Sequence, residues 1–153
     1  MDREFTTNPF VTDATPSGRP AVIIAGSRAF DDAFSPEGLA TLVESVLEEA
    51  GVDPGEVVSG GADGVDAAGE RVAHRRGIPV AADGSGDNPF DVPPRLWRDL
   101  GGVAGPMRNE AMAVYADQLV ALWDGASSGT ASMIRLARRH LGDDNVHVRE
   151  IDL

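Results

Sequence analysis

The sequence predicts an α/β protein: a three-layer, Rossmann-like sandwich built on a doubly wound parallel sheet of about five strands. Three observations predict it. Short, continuous apolar runs alternate along the chain with segments whose apolar residues recur at helical spacing. The first, second and fourth apolar runs each open into a glycine-containing turn that leads to a helix. The connections between runs are crossover-sized, which calls for parallel strands joined with right-handed geometry.

Residues 1–18 are rich in Thr, Pro, Asp and Ser without periodicity, so they read as a flexible leader, and residues 19–153 as a single domain. Residues 21–25 are uninterruptedly apolar, as a strand covered on both faces requires. Ser35 can cap a helix with Pro36 in its first turn and Gly51 at its end. Between them Leu39, Leu42, Val43, Val46, Leu47 and Ala50 mark its buried face. Residues 56–59 form a short second strand and residues 65–76 a helix stopped by Gly77. The small inner face of that helix (Val65, Ala68, Gly69, Val72) predicts close approach to the sheet. Residues 78–81 read as a third strand, at an edge because Pro79 has no N–H to donate.

Residues 83–102 break the rhythm with Gly, Asp and Pro around Phe90 and Trp97, and read as a lid or a disordered insertion. Pro106 starts a helix that reaches about residue 116. Residues 118–123 form a fourth strand, residues 128–141 a helix with Met133, Ile134, Ala137 and Leu141 inward, and residues 146–151 the last strand.

The balance of 13 basic against 25 acidic residues gives a net charge of −12, which repels nucleic acid unless a local basic patch overcomes it. Every basic residue is arginine and lysine is absent, a composition expected of a halophilic protein or of a GC-rich genome. In molar salt the Debye length falls to about 3 Å, which screens acidic self-repulsion. The absence of cysteine excludes disulfides, thiolate metal ligands and cysteine nucleophiles. His74, His140 and His147 lack metal-ligand spacing, so neither a metal nor a resident cofactor is expected. No run has the length of a membrane helix and no signal-peptide pattern opens the chain, so no membrane association and a cytoplasmic location are the expectations.

The chemistry gathers at three strand–loop–helix junctions: Gly26-Ser27-Arg28; Ser59-Gly60-Gly61-Ala62-Asp63-Gly64-Val65-Asp66; and Asp124-Gly125-Ala126-Ser127-Ser128-Gly129-Thr130. In open parallel sheets such loops meet at the carboxyl ends of the strands. Glycines allow tight turns, and the amides at a helix start lack internal partners and sit at the positive end of the dipole, so together they can cradle phosphate without lysine. Ser27, Ser59, Ser128 and Thr130 add hydroxyls, while Arg28 and Arg108 add planar guanidinium forks. The blander roles are also open: Ser128 as a helix cap, Asp66 as a partner of the dipole, Arg28 and Arg108 in ion pairs, and Trp97 and Trp123 in packing.

These three junctions, together with Ala104-Gly105-Pro106-Met107-Arg108-Asn109-Glu110-Ala111-Met112, resemble the SLOG superfamily of DNA-processing proteins and Lonely Guy phosphoribohydrolases, and within it the small YspA-like branch. The likeness runs in order over residues 21–148. It implies a nucleotide-binding Rossmann-like domain, with Ser59-Gly60-Gly61 and Gly129-Thr130 at phosphate-holding positions, Asn109 beside the ligand, Arg108 at the place of an arginine that acts on the N-glycosidic bond, and a homodimer or higher homo-oligomer. Ser132 stands where that chemistry uses a glutamate, and Asp66 and Asp124 are the nearby carboxylates able to substitute. The expected ligand-binding set is therefore Gly26, Ser27, Arg28, Ser59, Gly60, Gly61, Ala62, Gly64, Asn109, Gly125, Ser128, Gly129 and Thr130, with Arg108, Asp66 and Asp124 as catalytic candidates. The leading expectation is a nucleotide-binding sensor or scaffold. Its alternative is a hydrolase releasing base from a nucleoside monophosphate, and single-stranded DNA binding ranks below both.

Overall fold

A computed structural model of the chain describes residues 18–81, 90, 98–99, 101 and 104–153. The expected leader (apart from Gly18) and most of the 83–102 insertion, Trp97 included, lie outside the described residues.

Four parallel strands, β1 (Ala21–Gly26), β2 (Glu56–Val58), β3 (Gln118–Trp123) and β4 (Val146–Glu150), lie in the order β2-β1-β3-β4. Every pair is parallel, with Val22 opposite Val57 and Gly26 opposite Leu122. Period-two alternation splits β1 between two cores. Val22 and Ile24 face α2 (Pro36–Ala50) and α3 (Val65–Arg76), while Ile23 and Ala25 face α4 (Ala104–Tyr115) and α5 (Ser128–Leu141). The result is the expected three-layer α/β sandwich. A one-turn α1 (Phe30–Ala33), which the sequence pattern did not mark, links β1 to α2 and buries Phe30 in the α2–α3 core.

The local signals act as their chemistry demands. Ser35 accepts a hydrogen bond from the Gly38 amide, Pro36 occupies the first turn of α2, and Gly51 closes it with φ of 69°. Gly77 closes α3 with φ of 66°. Gly69 lets α3 ride close on β1: a Cβ there would lie 2.8 Å from Ile24 Cβ. Such contact leaves no space for even one added methyl.

Three expectations shift. The sheet has four strands among the described residues, because residues 78–81 contribute only an isolated bridge from Val80 to Val57. The Val57 amide bonds the Pro79 carbonyl at 2.9 Å and the Ala81 amide bonds the Val57 carbonyl at 2.8 Å, and a proline flanking the bridge cannot extend the ladder. α4 begins at Ala104, two residues ahead of Pro106, which a first helical turn tolerates because its amides have no helical partners. Finally, β2 stops at Val58, releasing Ser59 to the loop, and β4 stops at Glu150.

Candidate functional site

β1 runs between β2 and β3. The chain leaves it toward β2 through α2, then passes back over β1 to reach β3. Strand order therefore reverses between β1 and β3, and the loops leaving their carboxyl ends diverge to opposite faces of the sheet. Such a crevice is the expected ligand position in an open α/β sheet. A cavity of about 330 Å³ opens there, within the size range of small-molecule sites.

Of the expected residues, Gly26, Ser27, Arg28, Gly60, Ala62, Asp66, Arg108, Asn109, Asp124, Gly129 and Thr130 line this cavity. All three junctions and α4 thus contribute. Ser59, Gly61, Gly64, Gly125 and Ser128 are not among the lining residues. Ser59 is fully buried behind the loop, donating to Glu70 Oε2 at 2.6 Å and accepting from the Gly61 amide at 3.1 Å. Gly64 supplies the entry to α3 with φ of 79°, and Gly125 turns the β3–α5 loop with φ of 80°. Both conformations belong to glycine. The cap of α5 is Ser127, not Ser128: Ser127 Oγ accepts from the Thr130 amide, at 3.5 Å, and Ser128 is the first helical residue.

The sequence pattern predicts a cradle made of amides from all three turns, and the geometry revises it. The Ser27 amide is already committed to the Leu122 carbonyl at 3.3 Å, an interaction that extends the β1–β3 ladder by one residue. The Gly61 amide serves Ser59, and the Ala62 amide serves Asp66 Oδ2 at 3.2 Å. At the start of α5 the Gly129 amide has no helical acceptor and belongs to a residue that lines the cavity, so it can meet an anion. The positive charge comes from side chains. Arg28 is exposed, and its side chain forms no hydrogen bond or ion pair with another described residue. Arg108 is held firmly: Nη1 donates to the Gly60 carbonyl at 3.0 Å, and Nε and Nη2 donate to Asn109 Oδ1 at 3.3 and 3.1 Å. Three of its five N–H groups are used and two remain. Asn109 is in turn anchored to the Gly129 carbonyl at 3.4 Å, so its role is to fix Arg108 against α5.

Two aspartates border the cavity in opposite electrostatic states. Asp124 accepts from the amides of Ala126 and Ser127, at 3.0 and 2.9 Å, and from the Ser27 hydroxyl at 3.0 Å. These bonds, the Ala126 amide first, hold its carboxyl below the usual range. Asp66 is only 6% exposed. Burial outweighs the Ala62 amide and the charges of Arg108 and Arg28, and with a push from Glu70 it raises the carboxyl to about 6. Gly60 separates Asp66 from Arg108. A Cβ at residue 60 would lie 2.7 Å from Asp66 Oδ2 and 2.9 Å from Arg108 Nη1, so no larger residue fits between them.

Several contributors were not legible as site residues. Met112 and Met133 read as plain core, yet both line the cavity and give it an apolar side. Glu70 follows Asp66 by four residues on the same face of α3, and a second carboxylate on an otherwise apolar face was the available signal. Ser132 is 9% exposed, its hydroxyl has no partner among the described residues, and it lies off the cavity lining. His74 and His140 occupy the last turns of α3 and α5, and His140 contacts Glu110 at 3.3 Å. Trp123 donates to the Ser127 carbonyl at 3.0 Å and packs against the α4–α5 core. Among the described residues no group of three or more His, Asp or Glu side chains could hold a metal, and no helix is long and apolar enough to cross a membrane.

The fold and the crevice define a Rossmann-like α/β domain with a cleft at its switch point. Comparison with protein-family models, characterised proteins and solved structures finds no match to this chain.

Proposed function

We propose that this domain binds a phosphate-bearing ligand, a nucleotide or nucleotide derivative, as a sensor or scaffold. The observation that carries the reading is the convergence of Arg28, Arg108 and the first turn of α5 (Gly129, Thr130) around one cleft at the β1–β3 switch point. A helix start and planar guanidinium forks both favour phosphate over neutral ligands. The apolar side formed by Met112 and Met133 suits a base or sugar face next to the anion. The resemblance of the same loops to the SLOG superfamily supports the same ligand class.

Calorimetric titration with inorganic phosphate and the common nucleoside 5′-monophosphates tests this. Saturable binding that Arg28→Ala weakens by about tenfold is the expected result, the size of one lost charge-assisted contact. Flat titrations with every compound overturn the reading.

One observation favours a second reading, a hydrolase that releases base from a nucleoside monophosphate. Burial raises the Asp66 carboxyl to about 6 in the same cavity as Arg108, nearer the operating range of an acid–base group than an ordinary aspartate. Incubation with the same nucleotides and chromatography for free base decides it. Release that Asp66→Asn abolishes supports turnover, and silence across the panel leaves binding alone.

A further inference from the structure

Asp66 is the feature of the cleft that phosphate binding does not explain. Only 6% of it is exposed, and it lines the cavity. One oxygen, Oδ2, accepts from the Ala62 amide. The other, Oδ1, has no hydrogen-bond partner among the described residues and is not among the polar atoms sealed inside the protein. Because Asp66 lines the cavity, this oxygen is the one left able to meet a ligand there. A buried carboxyl held this way costs stability, because desolvation works against its charge. It is also a negative group in a site whose other features attract an anion.

The groups facing it narrow what it can meet. Arg108 and Arg28 bring positive charge from α4 and the β1 loop, Glu70 lies one turn along α3, and the Ala62 amide comes from the β2–α3 loop. Asp66 Oδ2 and Arg108 Nη1 lie 2.7 and 2.9 Å from one common point, the position of a Cβ on residue 60. Asp66 and Arg108 thus border the cavity side by side, so a ligand whose phosphate meets Arg108 lies within reach of the Asp66 carboxyl, which a hydrogen-bond donor on that ligand would satisfy. In a sugar phosphate the ring hydroxyls lie at that range. In a nucleotide the amino groups of the base lie beyond the sugar, too far to be reached by the same carboxyl.

We infer that Asp66 is a specificity-determining residue that accepts a hydrogen bond from a ring hydroxyl of a pentose phosphate, so that the cleft selects ribo over deoxyribo ligands. The inference rests on the proposed phosphate-binding role and adds the sugar to it. A site built to hydrogen-bond a hydroxyl rejects the analogue lacking it, because the buried acceptor is then left unpaired.

The test uses the full chain at pH 7.5 and four probes: inorganic phosphate, ribose 5-phosphate, 2-deoxyribose 5-phosphate and 3-deoxyribose 5-phosphate. The expected result is that ribose 5-phosphate binds about tenfold more tightly than at least one deoxy form. In Asp66→Ala that gap closes, while inorganic phosphate binds as well as before or better, since a negative charge has gone. Asp66→Asn keeps an acceptor for the Ala62 amide, guards against a folding defect, and narrows the gap as well. Equal binding of all three sugars by the parent chain overturns the inference, as does a gap that survives in Asp66→Ala. Failure of the parent chain to bind any of the four probes strikes the phosphate-binding reading itself, and the sugar assignment falls with it.

Discussion

Asp66 and Asp124 border the same cleft, each at a junction where a strand gives way to a helix, and the protein uses them in opposite ways. Asp124 is saturated by the Ala126 and Ser127 amides and the Ser27 hydroxyl, and so shapes the β3–α5 loop. Asp66 is buried with one oxygen unclaimed and its carboxyl raised to about 6. One carboxylate stabilises the scaffold, whereas the other is tolerated at a cost to folding. A group that burdens stability and faces a cavity is where a role in ligand recognition is expected.

Four measurements sharpen or break this contrast. The largest effect is expected where the two junctions touch. A Cβ on Gly26 would lie 2.4 Å from the Leu122 carbonyl oxygen and 2.7 Å from Val65 Cγ2. Neither a ladder carbonyl nor the first residue of α3 can withdraw, so Gly26→Ala should destabilise by about 3 kcal/mol or more in urea unfolding. A wild-type midpoint in that variant would mean that the junctions are not packed against each other.

Asp66 comes next, and its sign is the informative part. Its folded pKa, about 6, lies above the ordinary 3.8, so between those values the folded state holds more protons than the unfolded one. Stability therefore falls as pH rises from about 4 to about 6 and is level above that. Asp66→Asn removes the penalty. It should stabilise by about 2–3 kcal/mol at pH 7.5 and by little at pH 4, since each tenfold change in proton affinity is worth about 1.4 kcal/mol. Stabilisation of equal size at both pH values would assign the effect to something other than the buried charge.

Ser127→Ala should cost about 1 kcal/mol, the worth of a helix cap, with thermal unfolding as the readout. Ser128→Ala should cost less, since Ser128 is exposed and does not cap. Reversal of that order would contradict the observed start of α5. The smallest effect belongs to Asp124. Its lowered carboxyl supports the fold above the ordinary value of 3.8 and loses that support as pH falls through its folded value. The difference in midpoint between the parent chain and Asp124→Asn should shrink below pH 4, and a constant difference down to pH 2 would deny the hydrogen bonds their role.

Glycine, proline and cap residues made much of the fold legible in the linear sequence. Ser35, Pro36, Gly51 and Gly77 bracket helices through their own backbone preferences and need no tertiary partner, and residues 21–25 announce a strand buried on both faces. The alternation of strands and helices likewise determined the layered α/β class and drew attention to the turns that line the cleft. Other features depended on contacts from distant parts of the chain. Whether Val80 extends a strand or makes one bridge depends on how much of β2 is free to pair beside Pro79. Whether the Ser27 amide is open to a ligand depends on Leu122, far along the chain and one strand across the sheet. The difference between Asp66 and Asp124 is of the same kind. Composition gives two identical side chains, but burial and the direction of neighbouring amides are properties of three-dimensional packing, and those set which carboxylate is satisfied and which is left facing the cavity.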